Sequence, residues 1–100
     1  MSQELVKIII WHTDNDEKVS PDENDLANAK VHTSIPPELD EAEAITDWDT
    51  TLRVQAVFSK GATLDCYLDE VDGDARWRGE GFSDWTSLSE MFDEYAYDLE

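Results

Sequence analysis

Acidic side chains constrain this chain more than any other feature of its sequence. It has 25 Asp and Glu against seven Lys and Arg in 100 residues, which gives a formal net charge of −18 at pH 7. Small soluble domains usually carry a net charge of magnitude about 2–8. When the net charge is larger, repulsion between the like-charged side chains destabilises any compact state. Something must therefore compensate for this repulsion if the chain is to fold.

The composition is nevertheless that of a folded domain. Apolar residues make up 40% of the chain and aromatic residues 10%, whereas disordered acidic tails lack aromatic and β-branched residues. A domain of this length buries only about 60–70% of its unfolded surface, so we expect a thin core. The sequence predicts a single α+β domain over residues 1–100. Within it we expect an acidic and partly irregular arm (13–51), a β-meander (52–82) and a C-terminal helix (83–99).

Cysteine content and hydropathy point to the cytoplasm. A lone cysteine, Cys66, excludes an internal disulfide and fits a reducing compartment. The first twelve residues are typical of a strand rather than a signal peptide. No apolar run approaches the ~18 residues that span a bilayer, and anionic lipid would repel this chain. We therefore expect a cytoplasmic protein that does not bind membranes.

Residues 52–82 predict three antiparallel strands. Apolar and polar residues alternate from Leu52 to Phe58 and again from Thr63 to Asp69, as in strands with one buried face. Between the second and third strands, Asp72-Gly73 is the pair that two-residue hairpin turns favour. The third strand is predicted from Ala75 to Phe82, with Trp77 on the buried face and Arg76 and Arg78 on the other.

The last residues predict a helix with an acidic outer face. Helical spacing predicts one apolar stripe that packs on the sheet, formed by Trp85, Leu88, Phe92, Tyr95, Ala96 and Leu99. Ser83 is the predicted N-cap. Acidic residues at 90, 93, 94 and 98 fall on another face, where like charges destabilise a helix. Residues 84–100 contain no Lys or Arg that could offset this repulsion.

The first half is less regular. Residues 4–12 predict a strand inside the sheet, because both of its faces are apolar. A polar loop is predicted over 15–28, a second strand over 29–35, and a short helix from Pro37 to Ile45. Residues 13–51 hold twelve acids and two bases, and we expect them to wrap the sheet or to remain mobile. Trp11 and Trp48 are expected in the core, with exposed interface anchors as the alternative.

Motifs for catalysis or metal binding are weak in this sequence. His12 and His32 are isolated, Cys66 is expected to fill the core, and neither a nucleophile elbow nor a phosphate-binding glycine loop occurs. Residues 69–74 superficially resemble a calcium loop. With Gly73 in its sixth position, however, the first and twelfth positions would hold Leu and Gly instead of ligands. We expect no enzyme, no metal and no cofactor.

The charge itself is the strongest functional signal. A compact chain of this length has a diameter of roughly 33 Å, and that length of duplex DNA carries roughly 19 charges. We therefore expect a basic partner protein that handles nucleic acid, and no direct contact with nucleic acid. The predicted partner-binding residues are carboxylates of the meander and the C-terminal helix: Asp65, Asp69, Asp72, Asp74, Glu90, Asp93, Glu94 and Asp98. The alternative explanation of the charge is solvation in a halophile.

This small acidic meander, packed on a helix with carboxylates on its outer face, resembles phage-borne DNA-mimic inhibitors. That class includes anti-CRISPR, anti-restriction and uracil-DNA glycosylase inhibitor proteins, and the resemblance covers composition and architecture only. A second resemblance is to small immunity proteins of bacterial toxin systems, through the Cys66 strand, the strand Trp77-Arg78-Gly79 and the closing helix. Both imply a stoichiometric antagonist that covers a basic site on its target. The oligomeric state stays open.

Overall fold

The computed structural model describes residues 3–14, 17, 20–40, 51–72, 74–79, 81–82 and 87–99. The fold is α+β, with one antiparallel five-stranded sheet and a C-terminal helix, as predicted. Its elements in chain order are β1 (Leu5–His12), α1 (Glu23–Asn28), β2 (Lys30–His32), α2 (Pro37–Asp40), β3 (Leu52–Phe58), β4 (Thr63–Val71), β5 (Asp74–Gly79) and α3 (Leu88–Asp98). The strand order is β2-β1-β3-β4-β5.

The predicted meander is confirmed. Strands β3, β4 and β5 pair in sequence order, with Val54 opposite Cys66 and Leu68 opposite Trp77. Asp72 has a φ of 52° between the paired ends of β4 and β5, the left-handed conformation that the first central residue of a type I′ turn requires. Strand β1 lies between β2 and β3, in agreement with the prediction that it is internal.

The core lies between one face of the sheet and α3. The alternate residues of β3, β4 and β5 that face this side are buried, and Leu88, Met91 and Phe92 of α3 pack on them. The rings of Phe58 and Phe92 meet edge to face, with centroids 6.5 Å apart. Such a contact adds about 0.5–1.5 kcal/mol to the burial of the two rings. Trp11 is 2% exposed, so it is not an exposed anchor, while Trp48 and Trp85 lie outside the described residues.

Two predicted boundaries in the C-terminal part are wrong. Strand β5 ends at Gly79 rather than Phe82, because Gly81 adopts a φ of 85° and the Phe82 N–H turns back to the Gly79 carbonyl at 3.0 Å. Helix α3 begins at Leu88, since Ser87 has an extended backbone and its Oγ accepts a hydrogen bond from the Glu90 N–H. The predicted cap, Ser83, lies outside the described residues.

The predicted loop over residues 15–28 contains a helix. Asp22 and Asp25 form a reciprocal capping box at the start of α1, with N···O distances of 2.9 and 3.1 Å. This box satisfies two amides that the first turn otherwise leaves without a partner. The helix buries none of its residues, which explains why no apolar period marks it in the sequence. The predicted second strand is present as the shorter β2, and the short helix predicted from Pro37 is present as α2. The rest of that predicted helix, over 41–45, lies outside the described residues, as does all of 41–50.

Candidate partner-binding surface

Helix α3 presents a continuous polar surface away from the sheet. Its apolar residues apart from Tyr97 face the core. Its first turn is held by the Ser87 cap and by the Asp40 carboxylate, which accepts a hydrogen bond from the Ser89 N–H at 2.8 Å. A negative charge at a helix N-terminus is favourable because it faces the positive end of the helix dipole. At the other end, the Tyr95 hydroxyl donates to the Thr63 carbonyl at 3.0 Å. The helix is therefore fixed to the sheet along its length.

We define the outer face of α3 by five exposed residues: Glu90, Asp93, Glu94, Tyr97 and Asp98. Helical spacing places Asp93 and Glu94 one turn before Tyr97, whose side chain is 68% exposed. The last turn of the helix holds no basic residue. Four of the eight predicted partner-binding carboxylates are thus brought onto one rigid element.

The other predicted residues do not share that surface. Cys66 and Leu68 of β4 face the core, so the alternating Asp65 and Asp69 lie on the opposite face of the sheet from α3. Asp72 is exposed in the β4–β5 turn. Asp74 opens β5, and its side chain lies outside the described part of the chain. The predicted set therefore divides into a helix group and a hairpin group.

Asp65 does not fit the prediction of an exposed partner-binding carboxylate. It is only 6% exposed, because residues from two other parts of the chain cover it. Its Oδ1 accepts a hydrogen bond from Gln55 Nε2 at 2.8 Å, and its Oδ2 accepts one from Ser20 Oγ at 2.7 Å. These bonds give Asp65 a structural explanation, and we exclude it from the candidate surface.

Three arginines lie on the face of the sheet opposite α3. Arg53, Arg76 and Arg78, three of the seven basic residues, all lie there. Arg53 is 2% exposed, donates from Nη1 to the Leu52 carbonyl at 3.1 Å and lies 5.5 Å from the centre of the Tyr67 ring. Arg78 donates from Nε to the Phe82 carbonyl at 3.2 Å. The outer face of α3 is thus separated by the sheet from these three cations.

Strand register shows which residues neighbour the arginines on this face of the sheet. Tyr67 of β4 is the register partner of both Arg53 and Arg78, and Asp69 is the partner of Arg76. Opposite charges at such paired positions stabilise a sheet by about 0.2–1 kcal/mol. Sequence alternation had placed the arginines away from the core. It could not reveal that Arg53 would nevertheless be buried on this second face.

Cys66 is buried on the core face of β4. Burial raises the pKa of the Cys66 thiol, and the neighbouring Asp65 charge raises this pKa further, so the thiol stays protonated rather than forming a nucleophilic thiolate. In the described part of the chain, no three His, Cys, Asp or Glu residues are arranged to hold a metal ion. Nor is any helix of these residues long and apolar enough to cross a membrane.

Comparison of the chain with protein-family models, with curated protein sequences and with solved structures found no match.

Proposed function

We propose that this protein is an acidic inhibitor that mimics DNA. It binds the basic nucleic-acid-binding surface of a target such as a CRISPR effector, a restriction nuclease or a repair enzyme. The observation that carries the proposal is the outer face of α3, where four exposed carboxylates lie on a helix that contains no basic residue. Binding there blocks the access of nucleic acid to the target.

The spacing of these charges supports the proposal. With a rise of about 1.5 Å per residue, the eight steps from Glu90 to Asp98 cover roughly 12 Å of helix axis. Four carboxylates in that length give about one charge per 3–4 Å, close to the ~3.4 Å per charge of one DNA strand. The protein is 38 Å long on its longest axis, a length of duplex that carries roughly 22 charges. The helix and the whole molecule therefore approach the charge density of nucleic acid.

Tyr97 adds an exposed aromatic ring to the outer face of α3. The ring lies in the last turn of the helix, one turn beyond Asp93 and Glu94. Tyrosine is enriched among the residues that dominate binding energy at interfaces, particularly near their centre. In the proposed complex Tyr97 packs against the target while the carboxylates of the outer face pair with Lys and Arg. This arrangement suits a protein-binding surface better than uniform solvation does.

The experiment is a competition between the inhibitor and nucleic acid for one partner. Tagged protein is used to capture binding proteins from the cells that produce it, and a captured nucleic-acid-binding protein is purified. Labelled 20-base-pair duplex is then titrated against the complex. Mutually exclusive binding supports the proposal, with association that slows as salt is added because the encounter is steered electrostatically.

A stable ternary complex of inhibitor, partner and duplex would contradict occlusion of the nucleic-acid site. So would capture that is equally efficient when every carboxylate of the outer face is replaced by its amide.

A further inference from the structure

A pocket of about 360 Å³ lies at the edge of the sheet formed by β2 and β1, whereas β4 and β5 form the other edge. Its lining includes the polar residues Lys30, His12 and His32 and the apolar residues Ile10, Leu39 and Leu52. Pockets for small ligands have volumes of about 300–1,000 Å³ and combine apolar walls with a few polar groups. This pocket has the size and the lining of such a site.

Strand register places the three basic side chains together. Lys30 is the register partner of Ile10, His32 is the partner of Ile8, and His12 lies two residues beyond Ile10 on β1. Side chains two residues apart on a strand point to the same face. Lys30 therefore lies between the two histidines on the face of the sheet that also carries Ile8.

The apolar walls of the pocket are held in place by contacts with the sheet and the core. Leu39 is held where α2 meets the sheet, because its carbonyl accepts a hydrogen bond from Trp77 Nε1 at 2.7 Å. Leu52 is 9% exposed and pairs with His12 across β1 and β3. The His12 ring is further oriented by Nδ1, which lies 3.4 Å from Thr51 Oγ1. The apolar side of the pocket is thus preformed.

The charge of the lining is opposite to that of the molecule. The described residues that line the pocket include one lysine and two histidines, and none of them is Asp or Glu, although the chain has 25 acidic residues. An anion inside the pocket would therefore meet a lysine and two histidines, and no carboxylate among the described lining residues.

We propose that this pocket binds a small organic anion, a carboxylate or phosphate attached to an apolar body. Lys30 and His32 contact the anionic group, while Ile10, Leu39 and Leu52 contact the apolar part. The site lies on β1, β2, α2 and the start of β3, and it shares no residue with the outer face of α3. It stands or fails independently of the proposed inhibitor function.

The test uses the full chain labelled with ¹⁵N and three probes: 4-phenylbutyrate, phenyl phosphate and the uncharged 4-phenylbutanol. We expect both anions to shift amide signals of β1, β2 and α2 at lower concentration than the alcohol does. Stronger binding of 4-phenylbutyrate would identify the ligand as a carboxylate, and stronger binding of phenyl phosphate would identify it as a phosphate.

The matched variants are Lys30→Gln and Lys60→Gln, which remove the same charge from two exposed lysines. Loss of a charge-assisted contact should raise the Kd of the preferred anion about tenfold in Lys30→Gln, and His32→Gln should also weaken binding. Lys60 lies in the turn after β3, so Lys60→Gln should bind as the parent does. Equal weakening by both lysine variants, equal affinity for alcohol and anions, or no shift at any soluble concentration would overturn the proposal.

Discussion

Asp65 and Asp93 show how burial decides what a carboxylate does in this protein. Asp65 is 6% exposed and accepts hydrogen bonds from Gln55 and Ser20, whereas Asp93 is exposed on α3 beside other acids. Hydrogen bonds to a charged group contribute about 1.5–3 kcal/mol to stability. An exposed carboxylate among like charges contributes repulsion instead. The same residue type is therefore stabilising at one position and destabilising at the other.

This contrast predicts opposite effects of one chemical change. Asp65→Asn should lower the free energy of unfolding by about 1–3 kcal/mol, because the charge-assisted bonds from Gln55 and Ser20 are weakened. Asp93→Asn should leave stability unchanged or raise it by a few tenths of a kcal/mol, because it relieves repulsion between neighbouring turns. Urea denaturation of both variants and the parent measures the difference. Equal stability of the two variants would show that the buried contacts of Asp65 contribute little.

Cys66 predicts a loss of stability at alkaline pH. An unfolded thiol ionises near pH 8.5, whereas burial raises the pKa of the folded thiol. Above pH ~8.5 the unfolded state thus binds fewer protons than the folded state, and the free energy of unfolding falls as pH rises. This group should account for a loss of about 2 kcal/mol between pH 7 and pH 10.

The control for this prediction is Cys66→Ala, because other groups also titrate in that range. The difference in unfolding free energy between the parent and Cys66→Ala should shrink by that amount from pH 7 to pH 10. A constant difference would mean that the folded thiol ionises normally. Slow alkylation of the native protein, and fast alkylation once it is unfolded, would provide a second measurement of the same property.

At the scale of the elements, Gly79 marks a close approach between β5 and α3. A Cβ added to Gly79 would lie 3.0 Å from Met91 Sδ, 3.3 Å from Phe82 Cδ2 and 3.6 Å from Cys66 Sγ. Glycine therefore lets α3 approach the sheet closely at this point. The position of the helix, and with it the direction of its outer face, depends on this approach.

Gly79→Ala should lower the free energy of unfolding by about 1–3 kcal/mol, the usual cost of overfilling a packed core. Met91→Ala in the same chain should recover part of that loss, since removing the sulfur makes room for the new methyl group. A double-mutant cycle by chemical denaturation measures this coupling. Additive effects of the two substitutions would show that Gly79 and Met91 do not constrain one another.

Sequence patterns predicted the elements that bury a face and missed α1, which buries none of its residues. The alternation of β3 and β4 and the stripe of α3 follow from burial, so both were predicted. Helix α1 buries nothing, and its only signal is the Asp22–Asp25 box, which differs from the usual Ser or Thr with Glu. Ser87 and Glu90 do show the usual spacing. This spacing could have placed the start of α3 correctly, in preference to Ser83.

At the scale of the whole molecule, the sheet separates two groups of charge. The outer face of α3 is acidic, while the opposite side of the sheet carries Arg53, Arg76 and Arg78 together with Asp65 and Asp69. The periodicity of apolar residues in the sequence predicted only which face of its strand or helix each side chain lies on. It could not predict that Asp65 would be covered by Ser20, 45 residues away in sequence. The composition therefore predicted how much charge the protein has, and the fold determined where that charge is available.

The central claim is that a basic partner binds the carboxylates of α3 rather than negative charge in general. It is tested by measuring partner affinity for two variants that lose the same charge. One variant carries Asp93→Asn, Glu94→Gln and Asp98→Asn, and the other carries Glu4→Gln, Asp14→Asn and Glu23→Gln, all at exposed positions. Exposed ion pairs contribute about 0.2–1 kcal/mol each. The α3 variant should therefore bind about 3- to 150-fold more weakly than the parent, and the control variant should bind almost as well as the parent. Equal loss in both variants would contradict the claim.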